Sequence, residues 1–193
     1  MTKKITLQQI AEAAKSINVP TAALQAVMKV EAKGSGFNYD GTPVILFERH
    51  VFRQRLIENG KASIADKAMR QRPDLCAKTS GGYGLYSEQH GRLNAASQYD
   101  RTSALESASW GLGQIMGYHW NTLGYPSLQA FINAMYKDEA SQLDAMCRFI
   151  KLNGLDKFMR NQDWENFALR YNGKAYKNNN YDVKLANAFK EFS

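Results

Sequence analysis

The stretch from Ala22 to Phe37, Ala-Ala-Leu-Gln-Ala-Val-Met-Lys-Val-Glu-Ala-Lys-Gly-Ser-Gly-Phe, constrains the fold more than any other part of the chain. Leu24, Met28 and Glu31 recur at helical spacing on one face, and Ala23, Val27 and Val30 occupy the neighbouring face. A helix with two apolar faces is expected to run through the interior, and Gly34 and Gly36 are expected to stop it. Its last turn carries a carboxylate, Glu31, on an apolar stripe. A carboxylate among Leu, Met and Val loses solvation, which raises its pKa and makes a general acid that holds its proton near neutral pH. A helix-end Glu that simply points into water is the competing explanation at this stage.

The rest of the chain surrounds this helix with others. A first helix is expected from Leu7 to about Ile17, with Leu7, Ile10, Ala14 and Ile17 as its apolar stripe and Thr6 and Gln9 as a capping box. Asp40-Gly41 followed by Val44 to Phe47 reads as a short β-hairpin directly after the Glu31 helix. Further helices are expected at 49–59, 87–97, 101–107, 127–135, 138–153, 163–171 and 182–192, with Asp100 and Ser127 as N-caps and Gly60 and Gly154 as stops. Residues 60–84 read as a basic, loop-like segment. The expectation is a mostly α-helical α+β fold of about nine helices and one hairpin, in a single domain spanning 1–193, with no repeat or linker.

Composition narrows the class. No run of apolar residues is long enough to span a bilayer, and Gln8, Gln9, Glu12 and Lys15 interrupt any signal-peptide core. Cys76 and Cys147 match no metal spacing and, with three His residues, point to plain thiols in a reducing compartment and to no metal or cofactor. The net charge is +7. Between Arg49 and Lys78, eight cations face only Glu58, Asp66 and Asp74, which favours a polyanionic partner such as nucleic acid, anionic lipid or an anionic cell wall.

Three separated stretches are apolar, glycine-bearing and marked by polar side chains that propensity does not explain. They are Val30-Glu31-Ala-Lys-Gly34, Ser109-Trp-Gly-Leu-Gly-Gln-Ile-Met116 and Phe167-Ala-Leu-Arg-Tyr-Asn-Gly173. Each alone is compatible with ordinary turn chemistry. In this order they resemble the motif set of goose-type lysozymes and lytic transglycosylase catalytic domains, where a helix-end Glu precedes a Gly-Leu-x-Gln-Ile-Met-like and a Tyr-Asn-x-Gly-like stretch. A closer resemblance is to the N-acetylmuramidase family of phage endolysins, covering roughly residues 20–190. It is carried by Asp40-Gly-Thr-Pro-Val-Ile-Leu-Phe-Glu-Arg-His50, Ser107-Ala-Ser-Trp-Gly-Leu-Gly-Gln-Ile-Met-Gly117, Asp163-Trp164 and Tyr171-Asn-Gly173 through Tyr181-Asp182.

The resemblance implies a lysozyme-like fold and cleavage of the β-1,4 bond between N-acetylmuramic acid and N-acetylglucosamine. Such chemistry needs a proton donor and a second, anionic or nucleophilic group opposite it. Glu31 is expected to be the acid. Three candidates stand for the second carboxylate: Glu48 at the far end of the hairpin, Asp40 in its turn, and Glu106 just before the Ser-Ala-Ser-Trp block, which is also a substrate-binding candidate. By resemblance, Gln114 binds the sugar N-acetyl group or the acid, Tyr171 brings its hydroxyl to the reacting centre, and Asn172 holds the loop. Trp110 is a candidate for stacking on a sugar ring. His50 and His119 are expected to be structural, and Glu88 and Glu139 to be helix-start charges.

The family often adds a small wall-binding module, for which this chain is expected to have no room. Its expected partners are glycan strands and, through the basic segment, an anionic outer-membrane surface, with no nucleic acid and a monomeric state. Synthesis in the cytoplasm without a signal segment implies release through a holin pore. A lytic transglycosylase giving 1,6-anhydro products, or a non-enzymatic basic wall- or nucleic-acid-binding module, are the competing functional expectations.

Overall fold

The computed structural model describes residues 3–31 and 34–193, so Ala32 and Lys33 of the first motif lie outside the described residues. In chain order the helices are α1 (Leu7–Ser16), α2 (Thr21–Glu31), α3 (Arg49–Glu58), α4 (Ala62–Gln71), α5 (Gln89–Ser97), α6 (Arg101–Glu106), α7 (Leu128–Lys137), α8 (Glu139–Leu152), α9 (Asp156–Arg160), α10 (Trp164–Tyr171) and α11 (Tyr181–Phe192). The strands are β1 (Ile45–Phe47), β2 (Ala108–Trp110) and β3 (Ile115–Met116).

The helix starts follow their capping chemistry. Thr6 Oγ1 accepts from Gln9 N while Gln9 Oε1 accepts from Thr6 N, closing the capping box on α1. Asp100, Ser127, Asp138 and Asp163 each accept a backbone N–H three residues on, at the starts of α6, α7, α8 and α10. The basic segment read as loop contains α4, whose buried positions are only Ala65 and Ala68.

The hairpin after α2 is small: Phe37 and Pro43 form one antiparallel bridge around the Asn38–Thr42 turn. The sheet proper forms elsewhere. Its order is β1-β2-β3, all antiparallel, with Ile45 opposite Trp110 and Trp110 opposite Ile115. The Ser109-Trp-Gly-Leu-Gly-Gln-Ile-Met stretch is thus a β2–turn–β3 unit, and β1 pairs with it across sixty residues of intervening chain.

Two hydrophobic cores result. One gathers the sheet with α3 to α7 around Phe47, Phe52, Trp110 and Phe131. The other gathers α1, α2 and α9 to α11 around Leu24, Val27, Trp164 and Phe167. Helix α8 serves both: Ala145 belongs to the first core, and Leu143, Met146 and Ile150 to the second. Helix α2 buries Ala23, Leu24, Ala26 and Val27, whereas Met28 and Val30 are only partly covered, so α8 is the more interior helix.

Two polar side chains at the start of α8 hold the loops on the cleft side. Glu139, 5% exposed, accepts hydrogen bonds at 3.0 Å from Ile5 N, Ser35 Oγ and Gly36 N. Gln142, 1% exposed, donates to Gly36 O (3.1 Å) and Met135 O (2.8 Å) and accepts from Leu112 N (3.0 Å). Glycine is required where these side chains lie. A Cβ on Gly36 would fall 1.9 Å from Gln142 Oε1, and one on Gly111, at φ +65°, would fall 2.6 Å from Gln142 Cδ. Gln142→Ala takes a partner from Leu112 N and Met135 O, each costing about 1–3 kcal/mol when left unsatisfied, while Gly36 O keeps its bond from Val44 N. We expect a loss of about 3 kcal/mol in urea unfolding with unchanged far-ultraviolet circular dichroism; a variant as stable as the parent would show that these bonds do not hold the loops.

Candidate active site

Between the two cores lies a cavity of about 750 Å³. Helix α2 brings Glu31 to it, β1 brings Ile45 and Leu46, and the β1–α3 junction brings Glu48. Gly111 and Gln114 come from the β2–β3 turn, Asn172 from the end of α10 and Tyr181 from the start of α11.

Glu31 is the last described residue of α2 and is half-buried. Asn172 Nδ2 donates to its Oε1 at 2.9 Å. Asn172 therefore touches the carboxylate directly, and its own Oδ1 is buried without a hydrogen-bond partner among the described residues. Tyr181 and Tyr171 both feel the Glu31 charge, which adds to burial in raising their hydroxyls above the ordinary value.

Glu48 is fixed by its backbone. Its N–H donates to Ser107 O at 3.0 Å and its carbonyl accepts from Phe52 N at 2.9 Å. It occupies the N-cap of α3 in an extended conformation, yet its side chain makes no capping bond. The carboxylate is left for the cavity, with 21% of the side chain exposed and His50 Nε2 3.7 Å away. Burial raises its pKa, against a smaller opposing influence of His50.

The other expected site residues have different surroundings. Gln114, at φ +47°, lines the cavity, but its amide is engaged within its own turn: Nε2 donates to Gly111 O (2.9 Å) and Oε1 accepts from Ser109 Oγ (2.8 Å). Tyr171 commits its single hydroxyl proton to Gly113 O at 3.0 Å, and its ring stacks on Phe167 at 5.3 Å. It braces the β2–β3 turn against α10. Trp110 is 1% exposed and donates to Leu105 O, so no ring face is open to a sugar. Glu106 is 5% exposed and accepts from Arg55 Nε, Asn59 Nδ2 and Trp120 Nε1, which consumes its carboxylate. Asp40 lies on the exposed turn and accepts from Thr42 N (2.9 Å) and Thr42 Oγ1 (2.6 Å), bonds that lower its pKa.

Tyr83, Tyr86, Ser109, Asn179 and Tyr181 also line the cavity. Tyr83 and Tyr86 come from the glycine-rich loop before α5, in which Gly81, Gly82 and Gly84 take positive φ. Alternating Gly and Tyr in Gly82-Tyr-Gly-Leu-Tyr86 was the available signal for these two rings. In the basic segment, Arg55 pairs with Glu58 and Glu106, Lys61 with Asp100, and Arg72 with Asp74, so its net field is weaker than the local count suggests. Among the described residues, no helix is long and apolar enough to cross a membrane.

The raised Glu48 pKa has a signed consequence. The folded protein binds that proton more tightly than the unfolded chain, so this group's contribution to stability is fully present below the unfolded carboxylate value. It falls as pH rises through the window up to the higher folded value. Glu48→Gln removes the titration. The variant is expected to be more stable than the parent near pH 7 and to converge with it near pH 3, where both side chains are neutral. Urea midpoints measured across that range check this, and a stability difference independent of pH would contradict it.

The N-acetylmuramidase family model matches residues 20–193. Among solved structures, the crystal structure of Burkholderia AP3 phage endolysin aligns with a TM-score of 0.92 and 41% sequence identity, covering 100% of this chain and 72% of that one. No curated protein matches the chain. The match over nearly the whole sequence, together with a cleft holding Glu31, Gln114 and Asn172, leads to one conclusion: the chain belongs to the N-acetylmuramidase family of peptidoglycan-degrading enzymes.

Proposed function

We propose that the protein hydrolyses the β-1,4 glycosidic bond between N-acetylmuramic acid and N-acetylglucosamine, with Glu31 as the general acid and Glu48 as the second carboxylate. The observation that carries this reading is that Glu31 and Glu48, seventeen residues apart and on different elements, line the same cavity. Of the three candidates for the second group, Glu106 and Asp40 have their carboxylates engaged by neighbours, while Glu48 makes no capping bond and faces the cleft.

Glu31 protonates the leaving oxygen as the glycosidic bond breaks. Asn172 Nδ2 orients that carboxyl through the bond to Oε1, and the buried Asn172 Oδ1 offers an acceptor to a substrate N–H. Glu48 stabilises the oxocarbenium-like centre or activates water at it. Tyr171 and Gln114 position the β2–β3 turn that forms one wall of the cleft. Release through a holin pore brings such an enzyme to the wall, and its net charge of +7 favours approach to anionic wall and outer-membrane surfaces, more weakly at high salt.

Two measurements test the reading. Glu31→Gln is expected to lower the rate of wall lysis by about 10²–10⁴-fold with the fold retained, and an active, folded Glu31→Gln protein would overturn the assignment. Mass spectrometry of the products is expected to find reducing muramic ends with one oxygen from labelled water. A 1,6-anhydro end would instead identify a lytic transglycosylase, and would remove Glu48 from the reaction.

A further inference from the structure

Beside the cleft cavity lies a second one of about 640 Å³, and Ser35, Val44 and Tyr86 line both, so the two adjoin across a shared rim. The chemistry changes across that shared rim. The described lining of the first cavity includes Glu31 and Glu48 and no Lys or Arg. The second has Lys3 and Lys4, with Phe37 and Tyr39 among its walls. The one carboxylate in its described lining, Glu139, is sealed: Oε1 accepts from Ser35 Oγ and Gly36 N, and Oε2 from Ile5 N. Asp40, in the turn beyond Tyr39, is held by Thr42. Lys3 Nζ is fixed in place, donating to Gly41 O at 2.6 Å and sitting 4.4 Å above the Phe37 ring, while Lys4 is exposed. Tyr39 and Tyr86 present exposed rings at the rim.

Glycan hydroxyls are neutral and do not call for two ammonium groups. The stem peptide attached to N-acetylmuramic acid combines free carboxylates with methyl and methylene groups, which suits lysines beside aromatic walls. Resting on the muramidase reading above, we infer that this second cavity receives the stem peptide of a muramic acid whose sugar lies in the cleft. Lys4 and Lys3 meet its carboxylates, and Phe37, Tyr39 and Tyr86 meet its aliphatic parts. The groove makes the enzyme prefer peptide-bearing glycan to bare glycan.

The test compares purified peptidoglycan with the same material stripped of stem peptides by an amidase. Lys4→Glu reverses an exposed groove charge, and Lys67→Glu, at an exposed position of α4, makes the same net change elsewhere. On peptide-bearing glycan Lys4→Glu is expected to raise KM roughly fivefold with kcat unchanged, and on stripped glycan to stay within about twofold of the parent. Lys67→Glu is expected to follow the parent on both. An equal Lys4→Glu defect on both substrates would mean that the groove holds sugars, and a Lys67→Glu defect equal to that of Lys4→Glu would mean general attraction to the wall. Either result, or no Lys4→Glu defect at all, overturns the inference. Glu31→Gln is assayed alongside: an active Glu31→Gln protein marks failure of the muramidase reading, whereas a substrate-independent Lys4→Glu effect marks failure of the groove assignment alone.

Discussion

Glu139 and Gln142, within one turn of each other at the start of α8, tie together segments that the chain leaves far apart. Through them α8 grips the N-terminal segment at Ile5, the loop following α2 at Ser35 and Gly36, and the β2–β3 turn at Leu112. Both side chains are almost completely buried, so every bond they fail to make would be expensive, and the geometry around them is correspondingly narrow. Gly36 and Gly111 are glycines because the Gln142 amide occupies the space their side chains would need. The cleft wall next to Glu31 is set by these bonds as much as by the apolar cores on either side.

The same arrangement explains why the two cleft carboxylates differ in surroundings. Glu31 lies on a helix whose buried face is anchored in one core, and the side-chain amide of Asn172, the residue after α10, touches it. Glu48 starts a helix anchored in the other core, is held by two backbone hydrogen bonds, and keeps its side chain uncommitted beside His50. Burial at Glu48 opposes ionisation while the N-terminus of α3 favours it. Burial is the dominant influence and raises the pKa, with His50 as a smaller opposing one. Each carboxylate thus belongs to a different half of the molecule, and the distance between them is governed by how the cores meet across α8.

Much of the helical framework was legible because its signals are local. Thr6, Asp100, Ser127, Asp138 and Asp163 satisfy N–H groups within their own first turns, so their meaning does not depend on the rest of the fold. Helix α4 is not legible because its buried stripe is two alanines, Ala65 and Ala68, a weak hydrophobic signal inside a charged segment. The five-residue α9 is too short to show a period. Strand β1 was legible as β-prone, but its partner was not, since its ladder runs to Ala108–Trp110 rather than back across the Asp40-Gly41 turn. Within the site, the side chains of Trp110, Glu106 and Asp40 carried the right chemistry at suggestive positions, yet packing and hydrogen bonds commit all three elsewhere.

The sequence by itself determined the mostly helical α+β class, the helix that carries Glu31, and the ordered motifs that mark the family, because periodicity, caps and motif spacing are properties of contiguous residues. Only the tertiary structure decided which polar groups face the cleft and which are spent inside the protein. Glu139 reads as a helix-start charge and is a buried anchor; Glu48 reads as one carboxylate of three and stands in the cavity with Glu31. The physical reason is that a polar side chain's role follows from its desolvation and its partners, and both come from residues distant in sequence.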